Sequence, residues 1–468
     1  MSKLNKKSAK TKAHLPNVRL AGGMGAPAAR QGGEQLLRRA VMTCLLWEDM
    51  AYEDGAANAK NIAALIPHVD PKIVADIAIE TRRKQKLRHA PLYIASEMAK
   101  HPRHKAYVER VLVEVITRPD QITDFMAIYW KNGKCPIAAC IKRALAKIFN
   151  KFSEYQLSKY NRDAPIKLRD VMFMVHAKPE TPEKEALFKK LANNTLAVPD
   201  TWEVELSSGA DKKATFTRLI EEGKLGSLAF IRNLRNMREA GVPYETLKKG
   251  FASLAQAALL PLNFYSAYTT NPEFGREIED AMFKVYADLP KLPGHTVYVV
   301  DVSGSMSAMV SAKSKFNRMQ VAAALAAFAA ETSERITVVA TAGDYTHKSA
   351  RVKPIRGFAL ADEIIKTQRE LGGGGIFTAK CIEWLRTELK GEVPDRIIIF
   401  SDSQDCDAHG PKPKPFGKYN YVVDISSHKH GVNYKGIWTA EISGWSESLL
   451  TYIRAHEGLE NKLEEVVE

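Results

Sequence analysis

The spacing of apolar residues changes once along this 468-residue chain, at about Lys291 to Gly294, and that change constrains the fold more than any other feature. From Gln35 to about Leu289 the pattern is helical. Stretches such as Gln35–Met50, Lys72–Lys84, Tyr107–Ile116, Pro136–Phe152 and Leu225–Arg238 repeat apolar side chains every three or four positions, the period of a helix with one buried face. Pro or Gly recurs between them, and Thr181-Pro182 sets a capping hydroxyl before a first-turn proline. Many short helices without strands must bury their faces on one another, which predicts an array of stacked helix pairs, although no clean sequence period is visible. Beyond Gly294, Val297–Val300, Ile336–Ala340, Ile397–Phe400 and Tyr421–Ile425 read as buried strands. Helices over Ala322–Ala330, Ala361–Leu371, Ala379–Leu389 and Glu447–Ala455 lie between or after them. This alternation predicts a doubly wound α/β domain with a largely parallel sheet. The chain thus divides into a basic Gly/Ala/Pro-containing tail (1–32), a helical-repeat domain (33–292) and an α/β domain (293–468).

Ligands of such sheets sit at the carboxyl ends of the strands. Val297–Val300 runs into Asp301-Val302-Ser303-Gly304-Ser305, and Ile397–Phe400 runs into Ser401-Asp402. If those two strands are neighbours, Asp301, Ser303, Ser305 and Asp402 form an all-oxygen cluster, the donor type that hard divalent cations prefer. The DxSxS spacing with a later FSD turn resembles the metal-ion-dependent adhesion site of von Willebrand factor A domains, which also use a later Thr. Thr378 is the residue for that role, although Ile376-Phe377 separates it from the glycines Gly372–Gly375. The resemblance implies a divalent metal, Mg2+, as cofactor. No catalytic constellation competes with this reading. There is no GxxxxGK[ST], Gly372–Gly375 follows a helix rather than a strand, and Ser303 lacks a GxSxG elbow.

Charge separates the two main parts. Residues 1–300 hold 47 Lys and Arg against 32 Asp and Glu, a net of +15, whereas residues 301–468 carry −1. A positive excess confined to the helical part points to a polyanion, and to nucleic acid before membrane. Two segments carry it in a usable form. In Pro136–Phe152, Arg143, Lys147 and Lys151 fall at i, i+4 and i+8 on one helix face with Lys142 beside them, opposite Ile141, Leu145, Ile148 and Phe152. In the next segment Lys167, Arg169, His176 and Lys178 cluster.

That second segment, Ile166 to Pro179, resembles the LRDLLRLSHxKP stretch of the Ro ribonucleoprotein (TROVE) family. Leu228–Met237 resembles the family's LLRNLxxM helix, and Gly444-Trp445 to Ile453 the entry to its C-terminal helix. The chain departs from the family in Val175, where Ser is usual, and in Ala379, where Asp follows the metal-site Thr. The resemblance implies HEAT-like repeats closed into a monomeric ring followed by the A domain. It further implies binding of a small structured non-coding (Y-like) RNA on a basic outer surface, capture of single-stranded ends of misfolded RNA in a central hole, and an exoribonuclease as a partner. His176 corresponds to the family's RNA-contacting His, while Asn233 and Asn236 of the RNL helix are expected to satisfy backbone groups between repeats.

The expectation is a non-enzymatic RNA-binding scaffold. Its rivals are a protein adaptor that grips an acidic partner residue through the metal, and a metal-dependent phosphotransferase or nuclease centred on Asp301 and Asp402. Five scattered cysteines give no disulfide framework or CxxC zinc site. No apolar run of about 18 residues occurs, and the lysine-rich N-terminus lacks a secretory apolar stretch. A soluble, cytoplasmic protein with no membrane partner is expected.

Overall fold

The computed structural model describes residues 33–42, 55–83, 86–161, 163–254, 259–287, 289–310, 314–402, 405–406, 412–425, 437–443 and 449–459. The basic tail, the second half of Gln35–Met50 and the Gly444-Trp445 entry lie outside them.

The chain forms two compact units, divided at Asp211/Lys212. In the first, helices pack on their second neighbours in sequence, except that Asp120–Tyr129 passes over Glu154–Tyr160 to meet its third. Pro71–Arg83 lies on Lys105–Val115, which lies on Ala139–Phe149; Ala90–Met98 lies on Asp120–Tyr129, which lies on Leu168–Met174. Two rows of helices, with Glu154–Tyr160 falling outside the alternation, are what stacked helix pairs produce. The buried side of Ala139–Phe149 is Cys140, Ile141, Ala144, Leu145, Ile148 and Phe149, leaving its cations outside. Thr181 caps Pro182–Asn193 by accepting from the Lys184 N–H, with Pro182 in the first turn, as that dipeptide predicts.

The second unit continues the same alternation through Lys212–Glu221, Ser227–Glu239, Tyr244–Leu254, Pro261–Thr270 and Gly275–Tyr286. It then includes the sheet. The change of periodicity near residue 292 is therefore a change of element type, and the packing boundary lies about eighty residues earlier. Pro261–Thr270 packs on helix Arg318–Glu331 of the α/β part. Between them Tyr268 stacks on Phe358 at 4.5 Å and Tyr265 meets Phe316 at 5.5 Å. Gly357, at φ +63, lets the Glu279 carboxylate come within hydrogen-bonding reach of the Phe358 N–H, at 2.7 Å.

The sheet has six strands: β1 (Leu292–Asp301), β2 (Ser333–Ala342), β3 (Lys348–Arg351), β4 (Arg396–Ser401), β5 (Tyr419–Asp424) and β6 (Ala440–Ser443). Their spatial order is β3-β2-β1-β4-β5-β6, parallel except for β3. The helical-repeat plus doubly wound α/β class expected from the alternation is what forms. The two four-residue edge strands, β3 and β6, are additions to it. Ala361–Leu371 resolves into two helices, Gly357–Lys366 and Gln368–Leu371.

The last helix, Leu449–His456, is fastened to the sheet by a buried ion pair. Arg396, at the start of β4, donates from Nε to both Glu457 carboxylate oxygens at 2.8 Å, and Tyr421 donates to the same carboxylate at 2.9 Å. The two side chains are 3% and 1% exposed. Glu457→Gln strips the buried guanidinium of its counter-charge and should cost about 3–5 kcal/mol. Urea denaturation checks this, and a loss below about 1 kcal/mol would mean that the pair is not what holds the helix.

Candidate functional site

β1 and β4 are adjacent, with Val300 paired to Phe400, so the residues that follow them meet. The chain order reverses here, β1 leading to β2 on one side while β4 leads to β5 on the other, which makes this the switch point where open α/β sheets bind ligands. Asp301 is fully buried. Its Oδ1 accepts from the Ser303 N–H at 2.8 Å and its Oδ2 from the Ser401 hydroxyl at 2.7 Å. Ser303 and Ser305 hydroxyls lie 3.2 Å apart. Asp402 is fully buried and accepts from Arg318 Nη1 at 2.8 Å. Thr378 is buried at the start of helix Thr378–Glu388, where its N–H donates to Asp405 Oδ1 at 3.2 Å. Asp405 was not singled out from the sequence, although an acidic group at a helix N-terminus is favoured by the exposed N–H groups there. The glycine run serves close packing, because a Cβ on Gly374 would come within 2.5 Å of the Gly343 carbonyl oxygen, and Gly304 lets the Gly373 carbonyl approach in the same way.

Burial and the neighbouring Asp402 push the Asp301 carboxyl up to about 7, against the lowering effect of the Ser401 and Ser303 donors. Two buried carboxylates facing one guanidinium leave a deficit of positive charge, which suits a cation. The Ser303–Ser305 separation also suits one. It matches a hydroxyl–hydroxyl hydrogen bond, and it is close to the ~3 Å edge of an octahedron with bonds of roughly 2.0–2.1 Å. Asp301, Ser303 and Ser305, with Asp402 beside them, are thus the residues that could hold a hard divalent ion, while Thr378 is tied to Asp405 through its N–H. Among the described residues no group of three or more acidic, His or Cys side chains is gathered for a metal, so this site relies on hydroxyls.

The basic residues divide differently from the sequence expectation. Lys142, Arg143, Lys147, His176 and Lys178 line one cleft of about 450 Å³. Lys151 does not join them, because the helix ends at Phe149. It turns back to donate to the carbonyls of Val113 and Ile116 at 2.5 and 3.1 Å, which caps the end of helix Lys105–Val115. Burial lowers its pKa, opposed by Glu114. Lys167 and Arg169 also stay outside the cleft lining, paired with Asp163 and Asp170 at 2.8 and 3.5 Å. Arg143 and Lys147 share only the loose attention of Glu109, at 3.5 and 3.9 Å, and exposed pairs of that kind contribute little.

His176 is exposed, not a buried core histidine. It occupies the C′ position of helix Leu168–Met174 at φ +54. Its N–H bonds the Phe173 carbonyl and the Ala177 N–H bonds the Met172 carbonyl, both at 3.1 Å. This is the Schellman pattern, whose left-handed residue is usually glycine. Two neighbours escaped the sequence reading. Asn150 clamps the His176–Lys178 turn from below, donating to the Lys178 carbonyl at 3.0 Å and accepting from the Glu180 N–H at 3.1 Å. Phe173 is 58% exposed, where its apolar neighbours Val171 and Met172 are buried. The RNL asparagines bond inside their own helix rather than between repeats: Asn233 donates to the Ala229 carbonyl at 2.9 Å and Asn236 to Asn233 Oδ1 at 3.0 Å.

A carboxyl that holds its proton more tightly when folded stabilises the fold fully below its ordinary value of 3.8, and this contribution is lost as pH rises through about 7. In EDTA, Asp301→Asn should therefore remove a decline in stability on the order of 2–4 kcal/mol between about pH 4 and 8. Denaturation at both pH values measures it. Parallel curves for variant and parent would mean that Asp301 is not proton-linked to folding.

Residues 190–326 match the TROVE domain, and residues 296–404 match the von Willebrand factor type A domain. The fold is similar to that of the Deinococcus radiodurans RO (RSR) protein, with a TM-score of 0.62 and 15% identity, over 91% of this chain and 100% of that one. The A-type switch point and the helical repeats that run into it agree with both matches. The chain thus carries a region similar to the TROVE domain followed by one similar to the von Willebrand factor type A domain, in a fold shared with an RO protein.

Proposed function

We propose that this RNA-binding, Ro-like chain is a non-catalytic scaffold that docks a small structured, Y-like RNA at the cleft of Lys142, Arg143, Lys147, His176 and Lys178. One observation carries the reading: residues from two separate segments of the sequence converge on one cleft, and His176 in its lining is held in a left-handed backbone state. A non-glycine residue at a left-handed position costs about 1–2 kcal/mol, and strain retained in an exposed turn is the kind that accompanies function. The cations supply phosphate contacts, which set position and salt dependence. His176 and the neighbouring exposed Phe173 supply a hydrogen-bonding edge and an apolar face for unpaired bases.

Several finer features belong to the same reading. Single-stranded ends of misfolded RNA would pass through a ring closed by the repeats of one chain, an exoribonuclease would act on them, and the cytoplasm would be the setting. The A domain would hold Mg2+ at Asp301, Ser303 and Ser305. The adaptor and nuclease readings make the opposite demands. Purified protein with Mg2+ should leave labelled RNA intact, and cleavage that vanishes in Asp402→Ala would replace scaffold by enzyme.

Because Lys151 caps a helix, the phosphate stripe is Arg143 and Lys147. Changing both to Gln should lower the log–log salt slope of RNA binding by roughly 1.4–1.8, at about 0.7–0.9 per phosphate. Lys151→Gln should instead destabilise the fold by about 1 kcal/mol and leave the slope unchanged. Filter binding across a salt series separates them, and an unaltered slope in the double variant would remove the cleft as the RNA surface.

His176→Gly tests the strain directly. It should raise stability by about 0.5–1 kcal/mol, since glycine adopts the left-handed state freely, while weakening RNA binding. Tighter or unchanged binding would make His176 a bystander.

A further inference from the structure

Arg318 is a basic side chain that touches the switch-point cluster, and no feature of the DxSxS signature calls for it. It opens helix Arg318–Glu331, directly after the N-cap Asn317. A cation is electrostatically disfavoured at that end of a helix, and burying one requires a counter-charge. Its side chain is nevertheless 7% exposed and its Nη1 lies 2.8 Å from Asp402 Oδ2. Its buried Nε has no hydrogen-bond partner, so the guanidinium is held by charge and only half satisfied by geometry. Its backbone is tied to the serine loop, because the Arg318 N–H donates to the Ala308 carbonyl at 2.9 Å and the Ala308 N–H to the Ser305 carbonyl at 3.1 Å.

We infer that Arg318 is an internal cation that holds Asp402 in the metal-free site and competes with a divalent ion for it. Charge counting gives the reason. Once Asp301 has given up its proton to receive an ion, Asp301 and Asp402 with Arg318 sum to −1, and the divalent ion brings this total to +1. The ion and the guanidinium therefore repel each other and share one carboxylate. The site takes a divalent cation weakly, and tightly only when Arg318 releases Asp402. The inference rests on the reading of this cluster as a metal site.

Mn2+ titration of the full chain, followed by the loss of the free-ion EPR signal, tests it with four proteins. Arg318→Gln should bind Mn2+ at least about tenfold more tightly than the parent, as expected when a neighbouring positive charge is removed from a poorly screened site. Arg318→Lys keeps the charge but loses the planar fork, and should fall between the two. Asp301→Asn should not bind. In a parallel thermal series, Mg2+ should raise the melting temperature of Arg318→Gln more than that of the parent. Equal or weaker binding by Arg318→Gln, with Asp301→Asn inactive, overturns the competition and leaves the metal site standing. Binding by none of the proteins, or undiminished binding by Asp301→Asn, removes the metal site and the inference with it. If Arg318→Gln does not fold, Arg318→Lys decides: affinity equal to the parent's overturns the inference, and tighter binding upholds it.

Discussion

The C-terminal half of this protein depends on one pairing, that of β1 with β4, in parallel register from Thr296↔Arg396 to Val300↔Phe400. Strand pairing fixes side-chain direction residue by residue, so a slip of one position would turn each side chain to the other face. In the observed register Asp301 and the Ser401-Asp402 turn leave the sheet side by side, with chain diverging on both sides of them. Two carboxylates can be buried there because donors and a counter-charge are supplied from three different segments: Ser303 from the loop itself, Ser401 from β4 and Arg318 from a helix start. The oxygen cluster and the topology are therefore one fact. Moving either strand dissolves both.

A comparable accounting shapes the helical repeats, with backbone groups in place of carboxylates. Every short helix ends with unpaired carbonyls, and the repeats meet this demand from neighbouring turns. Lys151 closes the end of one helix, Lys184 reaches the Phe152 carbonyl at 2.8 Å, and Asn150 grips the turn that carries His176. The basic cleft lies where these ends crowd together. Four of its five polar residues are exposed and Lys142 is half-buried, above backbone carbonyls that these contacts already engage.

Element type and site chemistry were legible in the sequence wherever the signal was local. The DxSxS and FSD turns named Asp301, Ser303, Ser305 and Asp402, and buried strand runs placed them at strand ends. The cations of the cleft followed from a helical stripe and a second cluster. What could not be read was decided by where an element stops or by what packs on it. Lys151 continues the stripe on paper, yet two residues beyond the helix end its side chain serves another helix. Lys167 and Arg169 share a segment with His176 but pair with acids beside them. Arg318 looks like the polar first residue of an alanine-rich helix, and only the fold brings it to Asp402. The short edge strands β3 and β6 offer four residues each, too few for a period to show.

The aromatic seam of Tyr265, Tyr268, Phe316 and Phe358 bears on how such a protein can be divided. The α/β part resembles a module that many unrelated chains carry alone, yet here its outer helix layer is roofed by the repeats beginning at Lys212. A fragment cut at the change of periodicity would expose that seam to water and invite aggregation. One cut at Lys212 would keep it covered. The cover comes from Pro261–Thr270 and Gly275–Tyr286, so a soluble fragment has to carry those two helices along.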